Sequence, residues 1–337
     1  MKQLLPIVFC IISTFWMVSC GAINQLNYSA TLGSISSVAN PGITNFQYMP
    51  DGHFAILQEG ATCLLFWPIG HTSRSVGCDP GSSTVSPASP VLSAGSPGEF
   101  DNGGIWLYSV HRLQNGDLLG FYHAEDHEFP PHTNPSKIAW KSIARAQSTD
   151  GGVTWTKSGQ IITASTPKPS GPPAWGGPGD HSTVWDSVNQ RWVMYYSSHY
   201  IKAASSSDPL GAVGTWKKYY QGNFSTLGVG GNDDPLSGLK EVPGGNPSVH
   251  WNSYFQRWVM AWHAWDESGI WISVSKEGIE WESPRILVQT SGSARNWNPT
   301  LKMDADGKSG TLYYGYWPDR NVNTRQFLSR SVSLKLN

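Results

Sequence analysis

The sequence predicts an all-β protein, a five-bladed β-propeller of four-stranded antiparallel blades, and three observations carry that expectation. One stretch is written out twice, as Trp185-Asp-Ser-Val-Asn-Gln-Arg-Trp-Val-Met-Tyr-Tyr and Trp251-Asn-Ser-Tyr-Phe-Gln-Arg-Trp-Val-Met-Ala-Trp, 66 residues apart. Self-similarity at a period of several tens of residues marks a repeat architecture. Further strand–turn–strand units surround Asn-Gly and Asp-Gly pairs, whose residues accept the positive φ of tight hairpins. Finally, 36 Gly and 23 Pro are dispersed between short apolar runs, with little patterning for long amphipathic helices.

Taken from the N-terminus, residues 1–20 carry Lys2 and an apolar run from Leu4 to Val18, then Ser19-Cys20-Gly21-Ala22. That is the form of an export signal, and its run is too short to argue for a spanning helix. Met17-Val18-Ser19-Cys20 resembles a bacterial lipobox, which would make Cys20 a lipidated first residue; cleavage after Ala22 is the conventional reading. The protein is therefore expected outside the cytoplasm, either freely secreted or lipid-anchored. Residues 21–40 read as a linker and 41–337 as one propeller domain. With Cys10 and Cys20 accounted for, Cys63 and Cys78 remain to form a disulfide in an oxidising compartment, or else to stay as buried thiols.

The blades are counted from their inner hairpins. Met49-Pro-Asp-Gly-His-Phe-Ala-Ile-Leu57, Leu113-Gln-Asn-Gly-Asp-Leu-Leu-Gly-Phe-Tyr-His123, the two copies above, and Met303-Asp-Ala-Asp-Gly-Lys-Ser-Gly-Thr-Leu-Tyr-Tyr314 make five units over residues 41–335. Each unit has about 59 residues, enough for four strands and their loops. Third strands follow at 141–147, 201–205, 269–274 and 326–332. Three of them run into related turns: Ser148-Thr-Asp150-Gly-Gly152-Val-Thr-Trp155, Ser207-Asp208 through Gly214-Thr-Trp216, and Ser275-Lys-Glu277-Gly-Ile-Glu-Trp281. Asp150, Asp208 and Glu277 are accordingly expected to tie turns, and Trp155, Trp216 and Trp281 to pack between blades.

At these turns the chain resembles two known groups. The first turn is similar to the Asp-box of sialidase-like and other BNR-repeat proteins. The other two resemble their counterparts in the five-bladed propeller glycosidases, the arabinanase, levansucrase and invertase group, which the five-unit count favours. The resemblance spans most of the mature chain as architecture, and its motifs identify a fold rather than a reaction.

Net charge is −1 and only 14% of residues are charged, so no basic field exists for nucleic acid or an anionic membrane. The 17 Trp and 13 Tyr are the compositional outlier. In a propeller the heads of the first strands and the loops after the second strands meet on one face. The expected heads are Asp101, Asp180, Asn246 and Asn298. The loops supply His123, Glu125, Asp126, His199, His263, Trp265, Asp266 and Trp317, with Trp175 on a Gly/Pro-rich rim. Carboxylates, imidazoles and indoles around one concavity suit a sugar.

Glycoside hydrolysis usually needs two carboxyls across the scissile bond. The family resemblance implies acids at successive blade heads, and Asp101 and Asp180 match two such positions, as base or as pKa-tuning group. Asn246 stands where the familial Glu is expected, so Glu241 or Glu125 would have to donate the proton. The first blade offers no Asp head in this reading, only Asn45 nearby. Blade-entry capping is the structural alternative for both aspartates. The histidines are expected to bond sugar hydroxyls, with no metal or other cofactor. A sialidase is disfavoured: Arg191 and Arg257 fall in hairpin turns on the opposite face, leaving Arg295 and Arg320 near the site. The expectation is a monomeric carbohydrate-active protein, with a glycoside hydrolase favoured over a non-catalytic glycan- or protein-binding propeller.

Overall fold

The structure, a computed structural model, describes residues 25–38, 50–85, 89–129, 132–133, 138–170 and 174–337. The segment expected to be an export signal, Cys20 and Asn45 lie outside the described residues. Five antiparallel sheets form the blades of a propeller. The first blade has three strands, Ala55–Glu59, Thr62–Ile69 and His71–Val76. The second has four, Ile105–Arg112, Leu118–Asp126, Trp140–Ser148 and Thr156–Ile162. The third runs Gly179–Asp186, Arg191–Ser198, Tyr200–Ser206, Lys217–Tyr220 and Asn223–Leu227, one strand more than expected. The fourth is Gly244–Asn252, Arg257–Ala264, Gly269–Ser275 and Arg285–Gln289.

The fifth blade closes the ring. Arg295–Met303, Ser309–Trp317 and Gln326–Leu336 are joined at the outer edge by Tyr28–Leu32, with Tyr28 opposite Leu336. Residues 28–32 therefore belong to the propeller rather than to the expected linker. Pairing an early strand with a late one in the same blade resists splaying of the ring.

The first hairpin also corrects the sequence reading. Asp51-Gly52 is not its turn; the turn lies at Gly60, whose φ is 62°, between Ala55–Glu59 and Thr62–Ile69. Asp51 instead leads into the innermost strand. In the two copied hairpins Gln190 and Gln256 both adopt φ 51°, and the preceding Asp186 and Asn252 accept from turn N–H groups.

Among the described residues, five apolar clusters fill the five seams between neighbouring blades. The turn indoles reach back across three of these seams. Trp155 stands edge-on to Phe66, Trp216 to Phe121 and Trp281 to Tyr195, with ring centroids 5.7, 5.4 and 5.6 Å apart. Asp150 ties its turn by accepting from Val153 N, Thr154 N and the Thr154 hydroxyl, and Asp208 accepts from Leu210 N and Ala212 N. Replacing the fully buried Trp216 with Ala should destabilise the fold by about 3–5 kcal/mol, readable as a lower urea midpoint at unchanged slope.

A polar ring pins the inner strands together. Thr300 Oγ1 accepts from Phe54 N, Ser109 Oγ from Thr183 N, Ser182 Oγ from Val249 N, and Ser248 Oγ from Leu301 N. At the remaining junction His53 Nε2 meets the Tyr108 carbonyl at 2.9 Å. Each blade thus makes a sequence-encoded bond to its neighbour near the axis. Cys63 and Cys78 form a disulfide in the seam between fifth and first blades. Replacing both with Ser should cost about 3 kcal/mol, the loop-closure value for a 15-residue separation, and should appear as a lower unfolding midpoint under non-reducing conditions.

Candidate functional site

The blade heads share one backbone device. Asp180, Asn246 and Asn298 adopt φ values of 41°, 50° and 54°, a region where Asp and Asn are the favoured non-glycine residues. The strand register shifts at each of these points, so each head is a bulge that re-aims its side chain. Glycine precedes two heads because a side chain would collide: a Cβ on Gly179 would lie 2.6 Å from the His123 ring, and one on Gly245 would lie 2.5 Å from the Trp265 ring.

Around the axis these heads open into a funnel of about 400 Å³ lined by Asp51, Asp180, Asn246, Asn298, Glu125, His123, Lys141 and four indoles, Trp106, Trp175, Trp265 and Trp297. Tyr108 closes the funnel below. It is 2% exposed, stacks on His53 at 4.8 Å, and stands edge-on to His123 and His181. Its hydroxyl donates to the Asp51 carbonyl at 2.7 Å. Beyond this plug lies a separate axial cavity of about 510 Å³, lined by the ring hydroxyls with His53, His111 and His250.

His123 and His263 perform equivalent tasks. Asp180 N donates to His123 Nδ1 at 3.0 Å, and Asn298 N donates to His263 Nδ1 at 3.3 Å. Each imidazole holds the bulged head of the next blade. The other nitrogen of His123 faces Glu125 Oε1 at 3.2 Å, and Glu125 Oε2 meets His127 Nε2 at 2.8 Å. Burial opposes charge on His123, but the Asp180 and Glu125 carboxylates outweigh it and raise its pKa to about 9. In the neutral ring the Asp180 N–H selects the tautomer with its proton on Nε2, toward Glu125; the imidazolium would direct Nδ1–H to Asp180 Oδ1 instead, 3.4 Å away.

The carboxyls divide by environment. Burial would raise Glu125, but the two imidazole bonds bring it down to about 2. Burial would likewise raise Asp180; its contact with His123 and the Lys141 ammonium outweigh this and hold it well below the usual carboxylate range. Ser197 Oγ also donates to Asp180 Oδ2 at 3.3 Å. Asp51 moves the other way. It is open to the funnel yet enclosed by its walls, and that enclosure, then the Glu125 and Asp180 charges, raise its pKa against the pull of Arg325 and His123.

Several expected residues fall elsewhere. Asp101 is not at a head: it is 2% exposed, paired with Lys157 Nζ at 2.8 Å and accepting from Tyr122 Oη. The bulge of the second blade is at Tyr108, between Leu107 and Ser109, so no Asx residue occupies that slot. Glu241 is exposed in the loop before Gly244 and does not line the funnel. Asp126 instead binds Lys168, Asn102 and Glu128 N at a side cavity. Asp266 accepts from Ser268 N in an exposed turn. Trp317 lies against Arg295 and Arg325, outside the funnel lining. His263 is buried behind the wall, stacked on Trp297 at 3.7 Å. His199 is on the rim, beside Trp175, Lys141 and Trp265.

Sequence reasoning missed Asp51, Lys141, Trp106 and Trp297. Asp51 had a signal: Asp51-Gly-His-Phe aligns with Asp180-His-Ser-Thr, Asn246-Pro-Ser-Val and Asn298-Pro-Thr-Leu, with the ring residue two positions after each head. Among the described residues, no group of three or more His, Cys, Asp or Glu is arranged to hold a metal ion.

No family model matches the chain, and no curated protein does. Solved structures do. A family 117 glycoside hydrolase from the marine bacterium Zobellia galactanivorans is 11% identical over 94% of this chain and 92% of its own, with a TM-score of 0.58. An exo-β-1,3-galactanase from Clostridium thermocellum is 13% identical with a TM-score of 0.57; the match covers 87% of this chain but only 61% of the galactanase. An exo-1,5-α-L-arabinanase from a bovine ruminal metagenomic library is 10% identical over 88% of this chain and 99% of its own, with a TM-score of 0.54. At these identities the likeness is one of fold, the five-bladed propeller of glycoside hydrolases.

Proposed function

We propose that this protein is a carbohydrate-active enzyme, a glycoside hydrolase working in the funnel, with Asp51 as the carboxyl that exchanges a proton and Asp180 as its ionised counterpart. The observation that carries the reading is the opposed environment of these two groups. Asp51 keeps its proton to higher pH than an ordinary carboxyl, whereas Asp180 stays ionised. Two carboxyls pushed apart in this way are what acid and base roles at one bond require. Asp51 would protonate the departing glycosidic oxygen, and Asp180 would act on the opposite side, activating water or stabilising the developing positive charge. Glu125 acts indirectly: it holds His123, which holds the Asp180 head. The indoles supply flat apolar faces for sugar rings.

The propeller hydrolases with the same fold support a sugar as ligand, and the galactanase and arabinanase among them make galactan and arabinan the first polymers to try. A binding protein without catalysis is the competing reading, favoured by Asn246 at a head where the hydrolase pattern leads one to expect an acid. Sugar release from a panel of plant, microbial and host glycans, comparing wild type with Asp180→Asn, separates the two. Release that collapses in the variant supports the enzyme. Equal binding of one glycan by both proteins, with no release by either, supports the lectin-like reading.

Export is part of the proposal, since the Cys63–Cys78 disulfide suits an oxidising compartment. A mature mass carrying a diacylglycerol group on Cys20 would make it an anchored lipoprotein, whereas cleavage after Ala22 would make it freely secreted.

A further inference from the structure

We propose that a concavity on the funnel rim, lined by Lys141, Ser198 and His199, is a subsite for an anionic substituent, a carboxylate or a sulfate, on the sugar residue that leads out of the funnel. The inference rests on the carbohydrate reading and adds to it the chemical class of the glycan and the place of its charge. The concavity holds about 280 Å³ and shares Lys141, Trp175 and Trp265 with the funnel. Because Tyr108 closes the funnel below, a glycan whose end sits inside must continue over the rim.

Hydrogen bonds fix the walls of this concavity. Lys141 N donates to the Gly176 carbonyl at 2.8 Å, and Gly176 N to that of Ala139 at 3.2 Å. The loop carrying Trp175 is thereby docked on the start of the strand Trp140–Ser148, with the Lys141 ammonium 5.9 Å from the centre of the indole. Trp175 is 62% exposed, a flat apolar face open to a sugar ring. From the fourth blade, Trp265 Nε1 donates to the His199 carbonyl of the third at 2.9 Å. His199 itself takes up φ 69° in the turn between Arg191–Ser198 and Tyr200–Ser206.

The donors here are uncommitted. Lys141 Nζ, Ser198 Oγ and the His199 ring make no hydrogen bond to the described residues, and all three residues are at least partly open to solvent. Lys157, Lys168, Lys202 and Lys218, by contrast, each reach an aspartate. The Lys141 charge helps to hold Asp180 ionised, yet among the described residues no carboxylate comes within ion-pair distance of its Nζ. No acid lines the concavity. Arg295 and Arg320 both pair with Glu267, so their charge is already met. An ammonium flanked by a hydroxyl and an imidazole matches an anion with several oxygens, and such charge-assisted bonds are about twice as strong as neutral ones. Inside the funnel the ionised Asp180 and Glu125 would repel the same charge, so it belongs on the outer sugar and not on the inner one.

The test is calorimetric binding by the whole protein of matched oligosaccharide pairs. Oligogalacturonides and glucuronic acid-bearing xylan fragments are set against their carboxyl-reduced forms, and sulfated galactan fragments against desulfated ones. Wild type should bind the charged member of at least one pair about tenfold more tightly at low salt, and the preference should shrink in concentrated salt. The kind of pair that shows it tells carboxylate from sulfate. Lys141→Met should bring the ratio to about one, whatever it does to overall affinity, with Lys141→Gln in its place should the Met variant not fold. Lys141→Arg, which keeps the charge, should retain a preference. An unchanged ratio in the uncharged variant overturns the subsite. Wild type that binds neutral oligosaccharides and prefers no charged partner also overturns it and leaves the carbohydrate reading standing. Should wild type bind no oligosaccharide of either kind, both fall together.

Discussion

Asp51→Asn is expected to lower the rate of sugar release by about 10²–10⁴-fold, the usual range for removing a proton-transferring group. Asn keeps the size of the side chain, and among the described residues no turn or strand is held by Asp51 Oδ atoms, so the unfolding midpoint should stay within experimental scatter. The pH profile gives the sharper reading. An acid must be protonated, so the wild-type rate should fall as pH rises through a value above the ordinary carboxyl range, because enclosure and the neighbouring Glu125 and Asp180 charges raise Asp51. Asp180 must be ionised, and it stays so over the whole range in which the fold persists, so it should add no limb of its own. In Asp51→Asn the high-pH limb should vanish from whatever activity persists. A variant that kept both the rate and that limb would remove Asp51 from the chemistry.

The second large effect is on stability. His53, His111 and His250 are held neutral by burial down to about 4, His263 to about 3, and His181 is lowered well below its ordinary value. Each folded-state pKa is depressed, so each ring contributes stability that is complete above the unfolded value near 6.5 and lost as pH falls toward the folded one. The unfolded chain takes up protons that the folded chain refuses. At pH 5 the loss is on the order of 2 kcal/mol for each of His53, His111, His250 and His263, and the four together rival the total stability of an ordinary domain. Urea midpoints should therefore drop steeply below pH 6.5, with unfolding without denaturant near pH 5. His250, whose two ring nitrogens are buried without partners, offers the control: His250→Gln should reduce the slope by one proton. Midpoints unchanged down to pH 4 would contradict the buried neutral rings.

The architecture was legible wherever local chemistry repeats. The copied hairpins, the Asn115-Gly116 turn and the Trp-bearing outer turns announce blades because each blade solves the same turn and seam problem with similar residues. Ring closure was not legible, since Tyr28–Leu32 pairs with a strand some three hundred residues away and has no local signature. The site was half legible. Asp180, Asn246 and Asn298 were visible because their bulges demand Asx residues at a fixed distance before a ring hydroxyl. Asp51 was hidden by its own glycine, since Asp-Gly reads as a hairpin turn until Gly60 is seen to supply one. Asp101 misled for the converse reason: the second blade fills its head with Tyr108, and a nearby aspartate looked like the missing member. Lys141 and Trp297 carry no motif; the fold alone brings them to the funnel.

Catalysis in the funnel turns on Asp51. Proton NMR of the glycan that wild type processes fastest, recorded as the reaction runs, tests it most directly. A new anomeric signal should grow with wild type and be absent with Asp51→Asn, while both proteins still bind the glycan. The first anomer formed also tells inversion from retention. Binding by both proteins with no anomeric signal from either would rule out catalysis at Asp51 and leave a propeller that holds sugars without cutting them.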